Sequence, residues 1–293
     1  MTTIKEGFIE VTGGKVWYQK HESEKNTTPV IVLHGGPGSS HYSLQGLKVL
    51  SENRTVILYD QLGCGNSDRP SDKSLWNLER FVEELEQIKE ALSLEEFHIL
   101  GHSWGTTLAA AYYLKKPDGV KSIIFSSPCL SAPLWAEDQE ENRKLLPVEV
   151  QQTLKKCEEN GTTDSEEYKE ATKIFNQHFV CRLDPIPEFL KKGQQYRNPE
   201  VYNTMWGPSE FHVTGNLKDF DCTSELKNIQ VPTLYTCGCY DEATPKSTEY
   251  FSSLTPNGKF HVFEKSAHMP YIEETNEFLQ VVNKFLLEVG ENH

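Results

Sequence analysis

The chain is poor in positive charge: 29 Lys plus Arg stand against 43 Asp plus Glu, a formal net charge of −14 over 293 residues. No Lys/Arg cluster offsets that balance. Such a surface repels phosphate backbones and anionic lipid, so neither a nucleic acid nor a membrane is expected as partner. No run approaches the roughly 18 apolar residues that a membrane span needs. HExxH and the Walker A glycine loop are both missing, and with them any call for a metal or nucleotide cofactor. The seven cysteines are odd in number, and Cys64, Cys129, Cys157, Cys181 and Cys222 stand far apart. Cys237 and Cys239 form C-G-C, which is neither a CxxC redox pair nor a zinc spacing. They read as reduced thiols of a cytoplasmic protein. The opening MTTIKEGFIE carries Lys5, Glu6 and Glu10 and no apolar core, so no secretory signal is expected there.

What is present is enough for a large core: 37 % hydrophobic residues, with 14 Phe, 12 Tyr and 5 Trp. By length the chain could be two units of about 150 residues or one larger α/β unit. Residues 6–12 and 15–21 alternate apolar and polar around Gly13-Gly14, which reads as an antiparallel hairpin. Short continuous apolar runs follow at 29–33, 55–59, 97–100, 120–125 and 231–236, with a weaker one at 259–263. Runs of this kind fit strands buried on both faces. Between them lie helix-like segments at 41–51, 75–92, 104–116, 245–253 and 273–288. The expected fold is α/β, a mostly parallel central sheet with helices on both faces.

That alternation breaks at about 128–223, where the text turns helical and acidic. Residues 137–170 hold 11 acidic and 5 basic residues, a net of −6. The expected organisation is one sheet domain, 1–127 and 224–293, interrupted by a helical cap at 128–223, because an unstructured loop of that length is improbable inside a compact domain. The acidic run is either a solvated face or a field over the site.

Gly101-His102-Ser103-Trp104-Gly105 matches G-x-S-x-G, directly after the run at 97–100 and directly before a good helix. A sharp strand-to-helix turn presents the serine oxygen at the C-terminal edge of the sheet, over a helix N-terminus that favours negative charge. A serine hydroxyl needs a base, and the base an orienting acid. Asp241 follows the run at 231–236, and His268 follows the run at 259–263 and precedes a final helix. The other histidines fall before the acid, inside a strand, in the insertion, or without a suitable setting. The charge on the acyl-transfer oxyanion needs N–H donors, for which the backbone of Trp104 and of Gly36, in His34-Gly35-Gly36-Pro37-Gly38, are the candidates.

With these residues the chain resembles the α/β-hydrolase family. HGGPG at 34–38, DQLGCGNS at 60–67, GHSWG at 101–105 and WGPSEF at 206–211 together are similar to the proline iminopeptidases (prolyl aminopeptidases) and their broad-specificity aminopeptidase relatives. The resemblance implies an α/β-hydrolase fold with a helical cap over the site and a small peptide substrate with a free N-terminus. It also implies two glutamates that hold the substrate amine, here Glu210 and Glu242. Two carboxylates in a covered pocket suit an ammonium, and without one they repel, so one pKa should rise. Trp104, Trp135 and Trp206 line the pocket for the first side chain or form cap core. An amino-acid amidase or arylamidase shares the amine anchor; a capped esterase does not need it. Ser103 excludes the dehalogenase and epoxide-hydrolase readings, which need Asp at the turn, and a complete triad argues against a non-catalytic receptor.

Overall fold

A computed structural model describes residues 3–291. The hairpin comes first, β1 (Thr3–Val11) paired antiparallel with β2 (Gly14–Glu22). Then come β3 (Val30–Leu33), a 3-10 helix (His41–Glu52), β4 (Val56–Tyr59), α1 (Leu78–Ala91), β5 (Phe97–His102), α2 (Trp104–Leu114) and β6 (Val120–Ser126). Five helices follow without a strand: α3 (Ala132–Lys144), α4 (Val148–Glu159), α5 (Glu166–Phe179), α6 (Glu188–Gln195) and α7 (Pro199–Met205). The chain returns to the sheet with β7 (Thr233–Gly238), α8 (Pro245–Leu254), β8 (Gly258–Phe263), α9 (Pro270–Glu273) and α10 (Thr275–Glu291). The eight strands form one sheet in the order β1-β2-β4-β3-β5-β6-β7-β8, and every pairing from β4 to β8 is parallel.

The continuous apolar runs are explained by two cores, one on each face of the sheet. Ile31, Leu33, Ile57 and Ile99 pack with Phe81, Leu85 and Ile88 of α1 and Leu108 of α2. Their chain neighbours Val30, Val32, Val56, Leu58 and Leu100 point the other way, onto Leu44, Leu47 and Leu50 and onto Phe278, Val282 and Phe285 of α10. Each such side chain contributes about 1.5–3 kcal/mol by leaving water. A third cluster lies in the helical stretch between β6 and β7: Leu154, Tyr168, Phe175 and Phe179 pack around Phe211.

Boundaries differ from the sequence reading where local chemistry intervenes. The segment expected as a helix over 41–51 winds as 3-10, and its buried His41, Leu44, Leu47 and Leu50 recur every third residue, the period of that helix. The helix expected over 75–92 begins at Leu78, because Asn77 caps it by accepting from the Arg80 N–H. The strand expected from 231 begins at Thr233, after Pro232, which has no N–H for the ladder. The last helix is divided at Glu274 into α9 and α10. Among the described residues no helix is long and apolar enough to cross a membrane.

Candidate active site

The parallel strands bring the loops after β3, β5, β7 and β8 to one edge of the sheet, where open α/β sheets hold ligands. Ser103 ends β5 with φ 55° and ψ −124°, a strained conformation for a residue with a side chain. Its N–H donates to the Ser126 carbonyl at 3.0 Å, and its carbonyl accepts from the Thr106 N–H at 2.8 Å and the Thr106 hydroxyl at 2.6 Å. The flanking glycines permit the turn: a Cβ on Gly101 would collide with the Gly105 carbonyl, and one on Gly105 with the Leu33 carbonyl.

Asp241 and His268 meet from the loops after β7 and β8. The Asp241 carboxylate accepts from the Ala243 N–H at 2.8 Å and the Gly238 N–H at 3.2 Å, and its Oδ1 lies 2.7 Å from His268 Nδ1. With Nδ1 donating to that carboxylate, Nε2 of the neutral ring carries the lone pair. The His268 N–H donates to the Val180 carbonyl at 3.1 Å, and its own carbonyl accepts from the Ser127 hydroxyl at 3.1 Å. Ser103 and His268 open onto the same cavity of about 400 Å³, which Gly36 and Glu210 also line.

Gly36 follows β3 with φ +116°, in the left-handed region that favours glycine. Trp104 is the first residue of α2, where an N–H has no partner within the helix. Both residues line a narrow recess beside Ser103 together with Cys129, Trp135, Trp206 and Glu210. All three tryptophans border that recess and at the same time belong to the buried apolar cluster on this side of the sheet.

Glu242 is 0 % exposed, and neither of its carboxyl oxygens has a hydrogen-bond partner. Its Oε1 lies 3.6 Å from His268 Nε2. Burial first, then the Glu210 carboxylate and Asp241, push its pKa well above that of an ordinary glutamate. Burial first, then the Glu210 carboxylate, raises the Tyr202 pKa well above its usual value. Glu210 and Glu242 thus share one electrostatic environment, although they are 32 positions apart in the chain.

Sequence reasoning misses the parts that hold these groups. The Trp135 and Trp206 indoles both donate to the Glu210 carbonyl, at 2.8 and 3.3 Å, and stack edge-on with ring centroids 5.8 Å apart. The Gln139 amide donates to the Glu242 carbonyl at 2.8 Å, and the Glu242 N–H donates to the Phe179 carbonyl at 3.2 Å. Only the WGPSEF string hints at the first of these, since it sets Trp206 four residues before Glu210. Among the described residues no group of three or more His, Cys, Asp or Glu is placed to hold a metal ion.

Comparison with known proteins agrees with this architecture. Residues 28–275 match the alpha/beta hydrolase fold family. The chain is 68 % identical over 282 residues to a proline iminopeptidase of Heyndrickxia coagulans, covering 96 % of this chain and 98 % of that one. It is 40 % identical to a proline iminopeptidase of Clostridium botulinum, covering 97 % and 98 %. The crystal structure of proline iminopeptidase from Mycobacterium smegmatis superposes with a TM-score of 0.91 at 34 % identity, covering 98 % of this chain and 99 % of that one.

Proposed function

Since the chain belongs to the alpha/beta hydrolase fold family and is similar to proline iminopeptidases over nearly its whole length, we propose that it is a serine-type prolyl aminopeptidase. It releases the N-terminal residue, proline or another compact apolar one, from short peptides. The Ser103 hydroxyl attacks the carbonyl carbon of the first residue while His268 Nε2 takes its proton and Asp241 holds the imidazole in the required tautomer. The Gly36 and Trp104 N–H groups receive the oxyanion. Collapse of the tetrahedral intermediate breaks the C–N bond, and His268 gives its proton to the leaving amine. Water, activated in turn by His268, hydrolyses the acyl-enzyme and regenerates Ser103.

The observation that carries this reading is the Glu242 carboxyl, buried, unpartnered and beside the base. An unpaired buried carboxyl is costly, and a cationic amine between Glu242 and Glu210 offsets the cost by charge-assisted hydrogen bonds. The amine so held belongs to the same residue as the scissile carbonyl, one Cα away, which makes the enzyme cut after the first residue and nowhere else. The cavity of about 400 Å³ onto which Ser103, His268 and Glu210 open takes that first side chain. Residues 128–223 act as a lid over the sheet domain, supported by their separate apolar cluster around Phe175. A cytoplasmic location fits the seven free thiols.

The test is a comparison of prolyl arylamide with its N-acetylated form and with a prolyl-like ester lacking the amine. Acetylation should abolish turnover of the arylamide, and Ser103→Ala should lower kcat by about 10⁶-fold on every substrate. Glu242→Gln or Glu210→Gln should harm the free-amine substrates far more than the ester. Equal losses on both kinds would reject the amine anchor and favour a capped esterase.

A further inference from the structure

The Gly35–Gly36 peptide is gripped from behind by a histidine that the acid–base machinery does not use. His34 is fully buried, and burial pushes its pKa down, so the ring is neutral. Its two nitrogens have opposite tasks. The Gln61 backbone N–H donates to His34 Nε2 at 3.0 Å, which requires a lone pair there. The ring proton therefore sits on Nδ1, which donates to the Gly35 carbonyl at 2.9 Å. That carbonyl and the Gly36 N–H are the two ends of one planar peptide. A donor at the carbonyl end fixes the plane and polarises the amide, which strengthens the N–H at the other end. This peptide lies against the nucleophile, since a Cβ added to Gly35 would stand 3.1 Å from the Ser103 Cβ.

Gln61 ties the side chain of the residue that carries the other donor, Trp104, to the same frame. Its side-chain amide donates to the His34 carbonyl at 3.1 Å, and its Oε1 accepts from the Trp104 indole at 2.8 Å. One fully buried side chain thus spans the loop after β3 and the first residue of α2.

We infer that His34 and Gln61 are positioning residues for the oxyanion hole: the Nδ1–H of His34 orients and polarises the Gly36 N–H, and Gln61 sets its spacing from the Trp104 N–H. The inference rests on the reading of Gly36 and Trp104 as the oxyanion donors of a serine aminopeptidase. Two substitutions separate the functions of the ring. His34→Asn keeps a donor near the Nδ1 position and gives up the acceptor for the Gln61 N–H, whereas His34→Gln does the reverse.

The experiment measures kcat and KM on prolyl arylamide, affinity for a prolyl boronate, whose adduct with Ser103 puts an oxygen in the oxyanion site, and affinity for free proline. His34→Gln should lower kcat by about 10²-fold and weaken the boronate by a similar factor, with KM and proline affinity within about twofold of wild type. His34→Asn should recover most of both losses. Equal losses in the two variants, or a loss confined to KM or to the melting temperature, would overturn the inference. If neither variant folds, Gln61→Met decides by the same comparison of kcat, boronate and proline. A wild-type protein that neither turns over the arylamide nor reacts with the boronate rejects the aminopeptidase reading itself, which is a different result from active wild type with matching His34 variants.

Discussion

The Glu242 carboxyl ties the chemistry of the site to the stability of the fold. In the folded chain its pKa is raised, with burial the largest cause, while in the unfolded chain it ionises near the ordinary value of about 4.3. Between those two values the native state holds a proton that the unfolded state has released, so stability falls as pH rises through that window. Glu242→Gln keeps the shape without the ionisation. Its urea midpoint should match or fall below wild type near pH 4 and exceed it at pH 8; a constant difference across that range would mean that Glu242 ionises normally. At this scale the sequence is informative about order and blind to environment. Ser103, Asp241 and His268 are proposed as the triad because each follows a strand and they occur in the order this fold calls for. That Glu242 has no partner, while Asp241 beside it accepts from two backbone N–H groups, depends on a loop fold that the residue types do not encode.

Helix α5 ends against the loops that carry Glu242 and His268, since the Phe179 carbonyl accepts from the Glu242 N–H and the Val180 carbonyl from the His268 N–H. Phe175, one turn earlier and 0 % exposed, packs on Phe179 and Phe211 with ring centroids 4.9 and 4.5 Å away. Phe175→Ala should cost about 3–5 kcal/mol within the helical segment. Hydrogen exchange should then accelerate in residues 146–180 and KM for the free-amine arylamide should rise, with exchange in β3, β5 and β6 unchanged. Uniform acceleration across the sheet would show that the segment has no stability of its own. Helices and strands were legible wherever their period was clean, as in α1. The helix-like segment at 41–51 is a helix, His41–Glu52, and that it winds as 3-10 is settled only by its hydrogen bonds, since spacings of three also occur in an α-helix.

Over the whole molecule the charge is −14, and residues 137–170 carry −6 of it. Within residues 137–170, Glu141, Glu158, Glu159, Glu166 and Glu167 pair with Lys144, Arg143, Lys155, Lys169 and Lys156, and Glu170 pairs with Lys173. Asp138 turns inward to the Thr244 and Ser247 hydroxyls at 2.9 and 2.5 Å. The net excess of six acids remains after this pairing, but salt screens its field within about 8 Å, so steering of a cationic substrate should be weak. We expect kcat/KM for a free-amine substrate to fall no more than about threefold between about 0.05 and 0.5 M salt. A steeper fall would restore long-range steering to these acids. The sequence by itself determined the sheet, its two-sided core and the interruption between β6 and β7, because hydrophobic period and turn chemistry act over neighbouring residues. Only the tertiary structure decided which distant groups face one another: Gln61 with His34 and with the Trp104 indole, and the end of α5 with the loops of Glu242 and His268. Those contacts join segments far apart in the chain, and their energies come from burial and geometry that exist only after packing.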